Sequence, residues 1–389
     1  MKTKFLIVLL LNIFVGVQIK AQANVYTLLA QNTLDSIYKY YPADEKYLLN
    51  ETYPFNPKNV ADYTASTDTI KKKRVAYLWP TSGVFSGVNA LLRTTGDAKY
   101  RKILDSQVIP GLDLYFDSIR KPVCYQSYLT AEGRSDRFYD DNVWLAIDFA
   151  ESYLETKDKK YLAKSEMIWK FVISGWDDKL GGGIYWCEQK KHSKNTCSNA
   201  PSVVAAMKLY EGTQNKEYLD WAIKIYKWTK TNLQDTTDFL YFDNVGLDNH
   251  ISKAKYEYNS GQMLQGAVLL YNHTHDKAYL TDAKNIANSA VKFFVKPITK
   301  DGVEYMLFKK RDPWFVTVMF RGYLDLYLVD KDPTYINVFK ANIDYIKKYV
   351  RSNKGLFEGD WSGERQDEFK WLLNQGCIVE LSANLGGLK

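Results

Sequence analysis

Two acidic residues stand side by side in Phe138-Tyr139-Asp140-Asp141-Asn142-Val143-Trp144, at the start of a strongly apolar run. Cleaving a glycosidic bond takes one carboxylic acid to protonate the leaving oxygen and one carboxylate on the far side of the sugar. Asp140 and Asp141 are the candidates for that work. Inside a helix, adjacent side chains point about 100° apart; at a non-helical start the backbone turns sharply, and both can face one cleft. A helix N-terminus favours negative charge and would keep one carboxylate ionised. That charge raises the pKa of its neighbour, leaving one base and one acid. The plain alternative is that Asp140 only caps the helix. The DDxxD pattern of metal-dependent terpene cyclases is excluded, because the fifth position is Trp144. Of the other acids at loop positions, Asp177-Asp178 precedes Lys179-Leu180-Gly181-Gly182 and reads as a turn, and Asp312 stands alone.

The four histidines, His192, His250, His273 and His275, show no zinc-ligand spacing, and the four cysteines form no CxxC pair. No metal and no cofactor is expected. Cys187 and Cys197 could close a short disulfide loop in an exported chain, with free buried thiols as the alternative. Of the 389 residues 46% are hydrophobic and 25% charged, a balance that excludes whole-chain disorder. With 10 Trp, 30 Tyr and 18 Phe, there are more rings than a core requires, which points to surfaces for flat apolar ligand faces such as those of sugars. The net charge is +7, spread without a basic block, so no nucleic-acid partner is expected. Lys2 and Lys4, the apolar run 5–19 and Ala21-Gln22-Ala23 read as a secretory signal peptide over residues 1–23. The run is too short to span a membrane, and no cysteine near the cleavage point offers a lipid anchor. A soluble monomer in the periplasm or the medium is expected, without membrane association after cleavage.

What could hold such a pair is visible in an internal repeat. Short polar turns ending in Tyr100, Tyr161, Tyr218, Tyr279 and Tyr335 recur at separations of 61, 57, 61 and 56 residues, a two-helix period. Each turn follows a stretch that is apolar nearly all round and precedes an amphipathic one. After the third turn, Tyr218, Ala222, Ile225 and Thr229 share one face, and Lys216, Glu217, Asp220, Lys224 and Lys227 the other. The pattern predicts amphipathic helices near 24–42, 98–118, 159–174, 216–232, 277–294 and 333–351. It predicts buried ones near 85–94, 140–154, 200–211, 259–272, 314–328 and 371–385. Six hairpins, buried helices inside and amphipathic helices outside, make an all-α (α/α)6 toroid occupying residues 24–389 as a single domain. An open solenoid would need polar capping repeats, and none is seen.

Turns from inner to outer helix are short, about four residues, whereas each return connection runs to about 20 or more, well above the usual loop length. Six long loops therefore gather at the N-termini of the inner helices, the place where a rigid scaffold carries function. Their contents include Trp79-Pro80-Thr81-Ser82-Gly83, Tyr125-Gln126-Ser127-Tyr128, Arg311-Asp312-Pro313-Trp314 and Gly359-Asp360-Trp361. Each mixes rings with hydrogen-bonding groups, as a cleft for a hydroxyl-rich ligand requires.

Four segments in order, Phe138 to Trp144, Gly181-Gly182-Gly183-Ile184-Tyr185-Trp186, Lys194-Asn195-Thr196-Cys197-Ser198-Asn199-Ala200-Pro201 and Tyr256-Glu257-Tyr258-Asn259-Ser260-Gly261-Gln262, resemble the motif series of glycoside hydrolase family 76. That is a family of endo-α-1,6-mannanases with an (α/α)6 barrel, and of fungal cell-wall relatives; the likeness spans roughly residues 75–385. The resemblance implies a retaining enzyme in which Asp140 is the nucleophile and Asp141 the acid/base. It also implies a mannan or mannooligosaccharide substrate whose hydroxyls bind Tyr128, Asn142, Asn195, Asn199, Tyr258, Asn259 and Gln262. For Asn199 and Asn259, helix capping is the rival reading. Trp79, Trp186, Trp314 and Trp361 are expected as sugar platforms, with burial as the alternative. A transglycosylase and a non-catalytic glycan-binding protein on the same scaffold are the competing functions. A sugar epimerase would need more histidines, and an uronyl hydrolase a basic cleft.

Overall fold

The structure is a computed structural model that describes residues 25–58, 65, 74–308 and 312–388. The expected signal peptide and Arg311 lie outside the described residues. The chain runs α1 (Val25–Tyr40), α2 (Leu78–Thr95), α3 (Ala98–Ile103), α4 (Ile109–Leu112), α5 (Tyr139–Thr156), α6 (Lys159–Ile173) and α7 (Thr196–Thr213). It continues through α8 (Lys216–Leu233), α9 (Glu257–Thr274), α10 (Lys277–Phe294), α11 (Pro313–Asp330), α12 (Thr334–Tyr349) and α13 (Leu372–Gly387). Helices α2, α5, α7, α9, α11 and α13 pack in that order, and α13 returns against α2, so the ring closes. The expected (α/α)6 toroid is the fold.

Burial follows the sequence pattern. Every residue of α13 from Leu372 to Leu385 is buried, whereas α8 buries only Ala222, Ile225, Tyr226, Trp228, Thr229 and Leu233. Outer helix α1 covers α13 and α2 with Leu29, Ala30, Leu34 and Ile37. The second outer helix differs from the expected 98–118. A π-helical turn, Leu104–Val108, joins α3 to α4, and the Ile109 N–H reaches back to the Leu104 carbonyl. Pro110 follows, with no N–H to continue the ordinary ladder.

The tyrosine turns are tighter than expected, and their chemistry repeats. In Thr95-Gly96-Asp97, Thr156-Lys157-Asp158, Thr213-Gln214-Asn215 and Thr274-His275-Asp276, the middle residue is left-handed, with φ between 57° and 65°. The third side chain accepts from the backbone N–H two residues on, capping the outer helix. The threonine hydroxyl donates to the carbonyl four residues back. One residue ends a helix and the next begins another, so inner and outer helices must pack antiparallel.

The long connections are not merely loops. They carry β1 (Thr52–Tyr53), β2 (Phe116–Asp117), β3 (Cys124–Tyr125), β4 (Tyr185–Cys187), β5 (Lys190–Asn195), β6 (Phe242–Gly246) and β7 (Ile251–Lys255). Then follow β8 (Val295–Lys300), β9 (Val303–Phe308) and β10 (Lys370–Trp371). Strands β4 to β7 form one antiparallel sheet across two neighbouring loops, and β1 pairs with β10, tying the two ends of the chain together. The sequence of β5, Lys-Lys-His-Ser-Lys-Asn, has no apolar alternation; pairing on both sides makes it a strand. No described helix is long and apolar enough to cross a membrane.

Candidate active site

Asp140 and Asp141 occupy the second and third positions of α5; Phe138, not Asp140, is the N-cap residue, with extended backbone and no side-chain cap. The capping alternative is therefore not what the structure shows, and neither is a non-helical start for the pair. Both side chains lie in the first turn, and both still line one cavity because it sits directly over the helix end. Arg137, fully buried, fixes the approach. Its Nε donates to Glu188 Oε2 at 2.7 Å, and one terminal nitrogen donates to the Pro122 carbonyl at 3.0 Å, tying the second loop to the third.

The two carboxyls differ in their partners. Asp140 Oδ2 accepts from Trp186 Nε1 at 3.0 Å and from the Cys197 thiol at 3.3 Å, and its Oδ1 accepts from the Asp141 backbone N–H at 3.0 Å. Loss of water raises the Asp140 pKa to about 6, held from rising further by these donors. Asp141 is raised well above the ordinary carboxylate range, first by loss of water, then by the charges of Asp140 and Asp136. Donors thus favour the charged form of Asp140, whereas loss of water and like charges favour the protonated form of Asp141. The Cys197 thiol is itself pushed well up by burial and by Asp140, so it remains a donor. All four cysteines are free and buried, so no Cys187–Cys197 disulfide forms.

The cavity measures about 590 Å³. Trp79, Trp186, Asn195, Tyr258 and Trp314 line it, as the sequence led us to expect. Trp314 is the hub of its rings: Trp79 and Trp144 meet it edge-on with centroids 5.3 and 5.0 Å away, and Tyr258 lies at 5.9 Å. Tyr258 in turn stacks on Phe315 at 4.2 Å. Sequence reasoning missed Asp243 and Asn244, which β6 brings to the wall, and also Ser193, Tyr256 and Phe315. Asn244 Nδ2 donates to Asp243 Oδ2 at 2.7 Å, and burial raises the Asp243 pKa. The alternation in β6 could have flagged Asp243 only with β5 already in place beside it.

The remaining expected contact residues are not on the lining, and three of them, Asn142, Asn199 and Tyr128, fix the scaffold. Asn142 is fully buried; its Oδ1 accepts from the Tyr125 N–H and its Nδ2 donates to the carbonyls of Tyr125 and Phe138. Asn199 does the same with the Ile184 N–H and the carbonyls of Ile184 and Asn195. Each sits four residues after its N-cap, pins a loop segment to an inner helix with both amide hydrogens used, and is fully buried off the cavity lining. Tyr128 spends its hydroxyl on the backbone N–H groups of Arg74 and Val75. Gln262 Nε2 donates to Gln265 at 2.8 Å but its Oε1 has no partner among the described residues, and Asn259, whose two polar atoms also lack a formed hydrogen bond, only opposes the rise that burial gives Asp243. Trp361 is 4% exposed and does not reach the cavity. Among the described residues no cluster of histidine, cysteine and acidic side chains could hold a metal.

A closed ring of helical hairpins with paired carboxyls under an aromatic-walled mouth defines a glycosidase-type (α/α)6 barrel. Glycosyl hydrolase family 76 matches residues 30–324, and the chain belongs to that family. Among solved structures it resembles the family 76 mannosidase Bt3792 of Bacteroides thetaiotaomicron, at 31% identity over 93% of this chain and 98% of that one, with a TM-score of 0.84. The GH76A α-1,6-mannanase of Salegentibacter sp. HEL1_6 is 25% identical over 92% of this chain and 98% of its own, with a TM-score of 0.74. The mannan endo-1,6-α-mannosidase DCW1 of Saccharomyces cerevisiae is 29% identical over 187 residues, 45% of this chain and 40% of the yeast protein. The chain spans about half the length of the curated relatives it matches.

Proposed function

We propose that this protein is a retaining glycoside hydrolase that cleaves α-1,6-mannosidic bonds in yeast-type mannan or its oligosaccharides. The observation that carries the reading is the inequality of the pair. Asp140 is the carboxyl with three donors on it, whereas Asp141, on the same cavity, has only loss of water and like charges acting on its pKa, both of which favour its protonated form. Asp140 would attack the anomeric carbon while Asp141 gives its proton to the leaving oxygen. Asp141, now a carboxylate, would then take a proton from the water that releases the sugar from Asp140. The relatives and structural neighbours named as α-1,6-mannosidases and mannanases support the choice of linkage. The apolar run 5–19 supports export.

The test is hydrolysis of α-1,6-mannooligosaccharides by Asp140→Asn and Asp141→Asn. Each is expected to lower kcat by about 10³-fold or more, within the span of positioned acid–base and nucleophilic groups. If both retain full activity, the assignment is wrong. Longer products in quantity when an acceptor oligosaccharide is added would turn the reading to a transglycosylase.

A further inference from the structure

The donors on Asp140 are shared unequally between its two oxygens. Oδ2 accepts from Trp186 Nε1 at 3.0 Å and from the Cys197 thiol at 3.3 Å. Oδ1 accepts one formed hydrogen bond among the described residues, from the Asp141 backbone N–H at 3.0 Å. A carboxylate oxygen has two lone-pair directions, so the two donors on Oδ2 occupy both of its own. Bonding a carbon through Oδ2 would break one of these hydrogen bonds, whereas bonding through Oδ1 leaves both in place.

A single amide sets the spacing of the two donors. Asn199 grips the N–H and carbonyl of Ile184, two residues before Trp186, and stands two residues after Cys197 in α7. The indole is also held against Phe138, with ring centroids 5.0 Å apart. Cys197 is 4% exposed, and its proton stays on the sulfur, because burial and then the charges of Asp140 and Asp243 push the thiol well up. Tyr258, close enough to feel the same three groups, is pushed well up too, first by burial, so its hydroxyl is neutral. The thiol therefore meets Asp140 as a neutral donor whose grip follows the charge on Oδ2.

We infer that Cys197 is a positioning residue for the nucleophile: with Trp186 it holds Oδ2 as the oxygen that does not react, leaves Oδ1 to bond the anomeric carbon, and draws charge back onto the carboxylate when the sugar is released. The inference rests on the function proposed above. In the first step an Oδ1 lone pair forms the bond to the anomeric carbon, the glycosidic bond breaks, and its electron pair takes the Asp141 proton. Oδ2 is then an ester carbonyl oxygen, to which the donors bind more weakly than to a carboxylate. In the second step water bonds to the anomeric carbon and gives a proton to Asp141, while the electron pair of the Oδ1–carbon bond returns to Asp140. Charge reappears on Oδ2 as that bond breaks, so donors there favour the second transition state over the ester and speed release. They bring no such gain to the first step, in which charge leaves the carboxylate.

The experiment compares the wild type, Cys197→Ala and Cys197→Ser on an aryl glycoside of an α-1,6-mannooligosaccharide, each at the pH of its highest kcat/KM. The aryl leaving group makes sugar release the slow step. One lost hydrogen bond to a developing charge corresponds to about tenfold. Cys197→Ala should therefore lower kcat and KM together by about that factor, leave kcat/KM nearly unchanged, and accumulate protein carrying the sugar chain in intact-mass spectra. Cys197→Ser, which keeps a donor on the same carbon, should recover most of kcat. General damage to the fold lowers kcat without lowering KM and traps no covalent species. That pattern, an alanine variant as fast as the wild type, or a serine variant as slow as the alanine one overturns the role of Cys197 and leaves the hydrolase intact. A wild type that is inactive on α-1,6 chains, or that forms no covalent intermediate, overturns the proposed function and this inference with it.

Discussion

At the scale of single residues, Asp140 depends on two neighbours that the sequence scatters 46 and 57 positions away. Trp186→Phe keeps the ring against Phe138 but removes the Nε1 donor. The Asp140 pKa should rise, moving the acidic limb of kcat/KM up by about one pH unit, since a hydrogen bond to a charged group is worth ~1.5–3 kcal/mol. A pH profile measures it, and an unmoved limb would show that Trp186 does not tune the carboxylate. Asp141 carries a stability consequence of opposite character. The native state binds its proton more tightly than the unfolded chain, whose aspartates titrate near pH 3.9. Above that pH the unfolded chain has released the proton, so the native state is disfavoured as pH rises. Asp141→Asn should therefore melt higher than the wild type at pH 7 and together with it at pH 3, which thermal unfolding at the two values decides.

At the scale of elements, one device recurs: an amide side chain in the first turns of a helix grips the backbone of an incoming segment. Asn142 and Asn199 do so, and Gln375 in α13 likewise accepts from the Phe357 N–H and donates to the carbonyls of Phe357 and Trp371. Asn199→Ala strands a buried N–H and a buried C=O, and should cost about 2–3 kcal/mol in denaturant unfolding. Unchanged stability would remove the clamp from the account. The repeated Thr-x-Asp/Asn turns and the two kinds of helix were legible because each is written in adjacent residues. The strands were not, for the lysine-rich β5 owes its extended form to β4 and β6. Nor could Asn142 and Asn199 be told from sugar ligands, since an amide facing a cleft and an amide facing a backbone are spelled alike.

At the scale of the whole molecule, the ring closes only where inner helices come close enough to touch. A Cβ on Gly261 of α9 would lie 2.3 Å from the Met319 Cα of α11, and one on Gly322 would lie 2.6 Å from the Gly261 carbonyl oxygen. Alanine would improve the helix propensity of α9 by about 1 kcal/mol, but backbone atoms cannot rotate away from the added carbon. Overpacking of this kind costs up to about 3 kcal/mol. Gly261→Ala should thus lower stability by roughly 2 kcal/mol in chemical unfolding, and a stabilised variant would mean that the two helices are free to separate.

Periodicity and local turn chemistry were enough to determine the hairpins, their number and the acidic pair, because all of these depend on residues near one another in the chain; the ring followed as the economical arrangement of six hairpins. The tertiary structure alone decided which side chains meet over α5: Trp186 and Cys197 on Asp140, Asp243 on the cavity lining, Asn142 and Asn199 withdrawn into the scaffold. The reason is physical. A helix or a turn is selected by the few residues that compose it, whereas a cavity is the space left between six helix ends and the strands above them, and its lining is set by how all of them pack at once.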